Sequence, residues 1–204
     1  PYFFRVIFTD KKVDYLEVLD QLVETADKAR REGLLSLESQ LAEIDNPLLA
    51  RGLQLVIDGT DPELTRNMLE MEIEAYELRQ KAGSDLFMAA GGFAPTMGII
   101  GTVMGLVHVL GSMSEPDKLG SAIAGAFLAT LYGVASANVL WIPFSTKIKV
   151  KAEKESLLME LILEGVLSIQ AGENPRVIRE KLMTFLPPES RASAEEQQRQ
   201  QLGM

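Results

Sequence analysis

Two long segments of this 204-residue chain contain no Asp, Glu, Lys or Arg. They run from Leu86 to Leu110 and from Leu119 to Thr146. Each is long enough to cross a lipid bilayer as a helix, because about 20 apolar residues suffice. Only residues 111–118 separate the segments, and so short a connection joins neighbouring antiparallel helices. The sequence therefore predicts a transmembrane helical hairpin.

Small residues crowd both predicted spans, as they do where transmembrane helices pack closely. In the second span they recur at every fourth position, at Ser121, Gly125, Ala129, Gly133 and Ala137. In the first span the corresponding residues are Gly98, Gly101 and Gly105. We expect helix backbones to approach closely along these rows. The pattern leaves open whether such contacts only hold the two helices together or also serve transport.

Basic residues flank the outer ends of the hairpin. The second span is followed by Lys147, Lys149, Lys151 and Lys154, and the first is preceded by Arg79 and Lys81. Flanks rich in Lys and Arg favour the cytoplasmic side of a membrane. The short connection has one Lys against Glu115 and Asp117, so we expect it on the opposite, periplasmic or extracellular, side.

The composition on either side of the hairpin completes the predicted architecture. We expect a cytoplasmic helical segment over residues 1–85, the hairpin over 86–146, cytoplasmic helices over 147–188 and a disordered tail over 189–204. The predicted fold class is all-α, a polytopic membrane protein with amphipathic cytoplasmic helices.

Turn and capping residues predict where the cytoplasmic helices begin and end. An amphipathic helix is expected from Tyr15 to about Leu41, with an interruption at Gly33. A capping side chain followed by proline marks a helix start at Asn46–Pro47, Asp61–Pro62 and Asn174–Pro175. Helix stops are predicted at Gly59 and Gly172.

Composition argues against several classes of function. A net charge of −9 disfavours nucleic acid as a partner, because a phosphate backbone requires a basic surface. The sequence has no cysteine, which removes thiolate catalysis and thiolate metal ligands. The single histidine, His108, has no second ligand or base at a recognisable spacing. We therefore expect no catalytic residue, no metal site and no cofactor.

Two threonines are the polar residues deep inside the predicted spans. Neither span has a carboxylate or lysine that could bind and release an ion, so an ionisable group has to come from a partner. The hydroxyls of Thr102 and Thr130 can offer an oxygen to a hydrated cation or to a proton relay. Threonine also often bonds the backbone of its own helix, so the residues alone leave both roles open.

Residues 126–143, AFLATLYGVASANVLWIP, resemble the signature of the MotA/PomA family of flagellar stator subunits. Residues 94–110, APTMGIIGTVMGLVHVL, are similar to that family's preceding span, and KARREGLLSLE (28–38) is similar to its cytoplasmic, rotor-facing segment. GENPRVIREKL (172–182) resembles the region after the last span. The chain departs from the family pattern at its start, where two further N-terminal transmembrane helices would be expected.

This resemblance implies an ion-driven subunit of the flagellar motor in the bacterial cytoplasmic (inner) membrane, surrounded by lipid. It implies five copies around two copies of a MotB-like partner, whose single span carries an ion-binding aspartate. The cytoplasmic segment would push the rotor protein FliG. Two alternatives stay open: a TolQ/ExbB-type energiser of outer-membrane processes and a non-transporting membrane scaffold.

The resemblance also implies roles for individual residues. Arg30, with Arg31 as the alternative, and Glu38 match the charged pair that faces the rotor. On one continuous helix, Arg30 and Glu38 would lie about 80° apart around the axis. Pro95 and Pro143 match prolines at the inner ends of the two spans, where a missing amide hydrogen bond permits a kink that couples transport to the cytoplasmic part.

Overall fold

The computed structural model describes residues 2–9, 14–111, 116–186 and 191, and every regular element within these ranges is helical. The elements are α1 (Tyr2–Phe8), α2 (Tyr15–Glu32), a 3-10 helix (Leu34–Glu43), α3 (Pro47–Ile57), α4 (Pro62–Gly111), α5 (Pro116–Ser136), a π turn (Ala137–Trp141), α6 (Ile142–Gln170) and α7 (Pro175–Met183). The all-α prediction is confirmed. The predicted tail over 189–204 lies outside the described residues except for residue 191.

Capping side chains begin three helices where the sequence predicts them. Asn46, Asp61 and Asn174 each accept a hydrogen bond through Oδ1 from the amide two residues ahead, at 3.0, 3.0 and 2.9 Å. Gly59 and Gly172 follow the ends of α3 and α6 with φ of 71° and 68°, a conformation that favours glycine. These predicted starts and stops are confirmed.

The helix that begins at Tyr15 ends at the interruption that the sequence predicts. α2 ends at Glu32, and Gly33 redirects the chain at φ 87° before the 3-10 helix begins. Arg30 therefore lies on α2, whereas Glu38 lies on the 3-10 helix. The predicted interruption at Gly33 is confirmed, so the angle of about 80°, which applies only to one continuous helix, does not describe Arg30 and Glu38.

The described residues pack as two compact units. The first comprises the described parts of residues 1–10 and 78–152, and the second those of residues 11–77 and 153–204. The predicted boundaries at residues 85, 146 and 188 refer to a lipid bilayer, so they stay a prediction.

The second unit encloses a core of aliphatic side chains. Its fully buried members include Leu19, Leu22, Leu37, Leu49, Leu53, Leu69, Leu161, Ile162, Ile178 and Leu182. At the edge of this core the Tyr15 hydroxyl donates to the Lys154 carbonyl at 2.8 Å. Burial raises the pKa of Tyr15, and the neighbouring carboxylate of Glu155 raises it further.

Truncating a core leucine of this unit should destabilise it. Leu22 is fully buried, and a Cβ added at Gly165 would lie 2.6 Å from its Cδ1 atom, so Leu22→Ala would leave a cavity. We expect a loss of about 2–5 kcal/mol in the free energy of unfolding, measured by thermal unfolding of the detergent-solubilised protein. Leu35 is 74% exposed, and Leu35→Ala is the matched control with little expected effect. Equal effects of the two changes would contradict the packing.

The first unit contains the predicted hairpin. Two helical stretches, Pro62–Gly111 and Leu119–Gln170, are long and apolar enough to cross a membrane. Only 11% and 17% of their most apolar windows are buried inside the structure. A core helix of a soluble protein would be mostly buried, so this exposure favours spans that face lipid or partner subunits.

A short helix, which the sequence analysis did not predict, packs beside the hairpin. The Lys151 ammonium donates to the carbonyls of Val6 and Thr9 at 2.7 and 2.8 Å, at the C-terminal end of α1. A Cβ added at Gly83 of α4 would lie 2.1 Å from the Phe3 ring. α1 is therefore held against both α4 and α6.

Candidate functional site

Glycines bring α4 and α5 into backbone contact. A Cβ added at Gly133 would lie 2.6 Å from the Ala94 carbonyl oxygen and 2.9 Å from the Gly98 Cα. A Cβ added at Gly98 would lie 2.8 Å from the Ala129 carbonyl oxygen. Because these neighbours are backbone atoms, any side chain at either glycine would push the helices apart.

The line of contact on α5 differs from the predicted row at every fourth position. Gly125 faces open space, whereas Ala126 is buried against Gly105 of α4. A row of every fourth residue drifts about 40° per step around a helix, so it cannot follow a straight neighbour. The prediction of close contact is confirmed for Ala129 and Gly133, whereas a Cβ at Gly125 meets no described atom of this chain within 4 Å, so a helix contact at Gly125 stays a prediction.

Thr102 and Thr130 meet at this contact. Their hydroxyl oxygens are within hydrogen-bonding distance of each other. The Thr102 hydroxyl also lies 2.8 Å from the Ala126 carbonyl oxygen and 3.2 Å from the Gly98 carbonyl oxygen of its own helix. The Thr130 hydroxyl lies 3.4 Å from the same Gly98 oxygen. The structure thus joins both threonines in one cluster.

This cluster contains more acceptors than protons. Each hydroxyl has one proton to donate and two lone pairs that accept. When Thr102 donates to the Ala126 carbonyl and Thr130 donates to Thr102, lone pairs remain on Thr130 and on the Gly98 carbonyl. Both threonines are only half-buried, so the cluster is not sealed inside the chain. Hydroxyl and carbonyl oxygens of this kind can replace part of the hydration shell of a cation or hold a water molecule.

A second hydroxyl pair, which the sequence analysis missed, joins α4 to α6. Ser84 Oγ lies 2.9 Å from Ser145 Oγ and donates to the Ser145 carbonyl at 3.2 Å, and both side chains are buried. Ser84 precedes Thr102 by eighteen residues, which is about five helical turns, so both lie on the same face of α4. The eighteen-residue spacing between Ser84 and Thr102 was the sequence signal that could have identified Ser84 as a residue on the same face.

The two candidate prolines lie inside helical segments. Pro95 is internal to α4, and Pro143 is the second residue of α6, directly after the π turn. In that turn the Ile142 amide donates to the Ala137 carbonyl, five residues earlier. A π turn and a proline are both recognised causes of helix kinks. The coupling role of these prolines stays a prediction.

The rotor-facing candidates lie on the surface of the second unit. Arg30, Arg31 and Glu38 are all exposed. Arg31 forms an ion pair with Asp27, one turn earlier on α2. Within the part of the chain that the structure describes, no ion pair involves Arg30 or Glu38. Arg30 is therefore the arginine that keeps its charge available to a partner, and it does not pair with Glu38.

Sequence comparisons place the chain among ion-channel subunits of motility systems. Residues 40–161 match the MotA/TolQ/ExbB proton channel family. Motility protein A of Bacillus subtilis (strain 168) is 42% identical over 204 residues, which cover 100% of this chain and 76% of that protein. Chemotaxis protein PomA of Vibrio alginolyticus is 40% identical over 176 residues, which cover 86% of this chain and 69% of that protein.

Solved structures give the same result. The flagellar MotAB stator complex from Bacillus subtilis contains a chain that superposes with a TM-score of 0.87 at 42% identity, over 95% of this chain and 76% of that chain. The structure of C. jejuni MotAB gives a TM-score of 0.88 at 33% identity, over 92% of this chain and 73% of that chain. The hairpin and the helices around it are thus shared with stator complexes.

Proposed function

The chain belongs to the MotA/TolQ/ExbB proton channel family and is a stator subunit of a flagellar motor, and we propose that Thr102 and Thr130 line its ion pathway. The observation that carries this proposal is the contact of the two hydroxyls at the closest approach of α4 and α5. They are joined by carbonyl oxygens and are only half-buried. The cargo is a proton or a sodium ion, and the proposal includes no enzymatic reaction.

The ionisable group of the pathway comes from a partner in this proposal. The two uncharged segments have no carboxylate, and the similar stator structures are complexes of MotA with MotB. A MotB-like subunit would supply an aspartate on its single span, and five copies of this chain would surround two copies of that partner in the bacterial inner membrane. Each elementary charge that crosses gains about 2.3 kcal/mol per 100 mV, which is the work available for torque.

Uncovered apolar surface supports assembly with further subunits. On α4 in the second unit, Leu69 and Ile73 are buried in the core. Leu64 and Met71 lie on the opposite side of the same helix, about 140–180° around the axis, and are 51% and 68% exposed. A helix with apolar residues on two sides, of which only one contacts its own core, is typical of a helix that packs against a second partner.

Reversing the charge at Arg30 should reduce the torque that the subunit exerts on the rotor. We propose that Arg30 and Glu38 contact the rotor protein FliG, because both are exposed and neither forms an ion pair with any residue that the structure describes. Arg30→Glu is expected to reduce swimming in soft agar at least tenfold while membrane levels stay normal, since opposite charges guide such contacts. Arg31→Glu, on the residue paired with Asp27, is the matched comparison and should be milder. A stronger defect at Arg31 would reverse this assignment.

Complementation tests the proposed function. The gene product that contains this chain is expressed with its own MotB-like partner in a motile host that lacks its native stator genes. Restored swimming supports the stator role. Restored outer-membrane energisation without swimming would favour the TolQ/ExbB-type alternative, and restoration of neither by an assembled complex would favour a scaffold.

A further inference from the structure

Three residues on one face of α4, Ser84, Gly91 and Thr102, meet the second half of the hairpin. Ser84 and Thr102 lie on one line along the helix, and Gly91 lies within about 20° of it, at seven residues from Ser84. A Cβ added at Gly91 would lie 2.8 Å from Ile142 Cγ1. This face therefore touches the opposite helix at three levels, through Thr102, Gly91 and Ser84.

An uninterrupted α-helix could not present the opposing residues to that face. The partners at the three levels are Thr130, Ile142 and Ser145. On an unbroken helix with 100° per residue, Ile142 would lie about 120° and Ser145 about 60° around the axis from Thr130, on the same side. The three partner residues would then spread over an arc of about 120°, with Thr130 and Ile142 at its two ends, too wide for all three to meet one face of α4.

The π turn corrects this rotation. Its i to i+5 hydrogen bond, from the Ile142 amide to the Ala137 carbonyl, accommodates one extra residue in the turn. When that residue is left out of the count, Ile142 lies about 20° around the helix axis to one side of Thr130 and Ser145 lies about 40° to the other side. The three residues then span an arc of about 60°. All three residues then face α4, as the contacts show.

Asn138 lies inside the π turn. Its side-chain amide donates to the Val134 carbonyl at 2.9 Å, one helical turn before. In a membrane, carbonyl groups released by an irregular turn have to be satisfied by neighbouring protein groups. Pro143 follows the turn and has no amide proton to contribute.

We propose that the π turn at Ala137–Trp141, stabilised by Asn138, sets the helix register that holds both hydroxyl pairs against α4 and so positions Thr130 in the ion pathway. Asn138 is a positioning residue and acts through Thr130. The step from register to ion pathway rests on the function proposed above, whereas the register itself can be tested without any measurement of motility.

Cysteine cross-linking tests the register, because the chain has no cysteine of its own. Thr102→Cys with Thr130→Cys, and separately Ser84→Cys with Ser145→Cys, are introduced into the full-length protein expressed with its partner in membranes. Both pairs should form disulfides, since the replaced hydroxyl groups are in contact. Failure of either pair to cross-link in the parent protein would overturn the register.

Single-residue deletions test whether the π turn, unlike an ordinary helix segment, contains one residue that can be removed without loss of register. In a Pro143→Ala background, deletion of Val139 should close the turn to an α-helix and leave both disulfides at half the parent yield or more. Deletion of Phe93 from α4, which has no spare residue, should rotate that helix by about 100° and lower one of the two yields about tenfold. Equal losses from both deletions would contradict the proposal.

Substitution of Asn138 tests its positioning role. Asn138→Leu should lower the yield of one cysteine pair at least threefold and slow rotation, without lowering the amount of partner that copurifies. Val139→Leu is the matched control, because Val139 lies in the same turn and is 69% exposed. If Asn138→Leu behaved as this control does, Asn138 would have no positioning role. If it changed cross-linking but not rotation, the register would stand and the ion-pathway role of Thr130 would fall.

Discussion

Thr130→Val and Thr102→Val are each expected to abolish swimming while the subunit still reaches the membrane and binds its partner. Valine keeps the shape of threonine and removes the hydroxyl that the cluster uses. Loss of one such hydrogen bond costs only about 1 kcal/mol, too little to unfold the hairpin. Removal of an oxygen from the pathway, by contrast, acts on every ion that passes. The defect should therefore appear in function and not in assembly, as measured by soft-agar swimming alongside copurification.

Thr146→Val is the matched control for these changes. The Thr146 hydroxyl donates to the Ile142 carbonyl of its own helix at 3.0 Å, and the side chain is exposed. Its replacement removes a hydroxyl near the same end of the hairpin as Ser145 without touching the Thr102 and Thr130 cluster. Normal swimming of either Thr102→Val or Thr130→Val would remove the cluster from the ion pathway.

Gly133→Val is expected to prevent formation of the hairpin contact. The added side chain would meet the Ala94 carbonyl oxygen and the Gly98 Cα, and neither can move without displacing its helix. Small residues allow this approach in membranes, so the variant should yield at least tenfold less assembled complex with the MotB-like partner. Size-exclusion chromatography of the copurified complex measures the loss.

Gly125→Val provides the comparison on the same helix. A Cβ at Gly125 meets no atom within 4 Å in the chain, so valine there leaves the contact between α4 and α5 intact. We expect it to retain the hairpin and the Thr102–Thr130 cross-link described above. Comparable loss of complex from both glycine variants would show that close packing of α4 and α5 is not what Gly133 contributes.

Local signals account for the parts of the fold that the sequence predicted. The spans follow from the absence of charge over two long segments, and helix starts at Asn46, Asp61 and Asn174 follow from capping chemistry that involves residues two positions apart. The sequence identified Thr102 and Thr130 as deep polar residues but did not predict that they pair. Their contact depends on how the two helices are aligned.

The features that the sequence did not predict depend on the partner helix. The contact line through Ala126 in place of Gly125 results from helix drift against a straight neighbour. The reason for the π turn is the alignment of three contacts along α4, at Thr102, Gly91 and Ser84, which is known only from the packed helices. Gly33 was recognised as an interruption, but the sequence could not say that a 3-10 helix follows it. The distinction between Arg30 and Arg31 required the ion pair to Asp27.

Rotation of tethered cells tests the ion-driven stator role most directly. The host lacks its own stator genes and carries the full-length gene product with its MotB-like partner, and rotation is recorded while sodium is removed or a protonophore is added. We predict that one of the two treatments stops rotation within seconds and so identifies the ion, and that Thr130→Val cells do not rotate under any condition. Rotation that persists through both treatments, or that Thr130→Val leaves at normal speed, would contradict an ion pathway through the paired threonines.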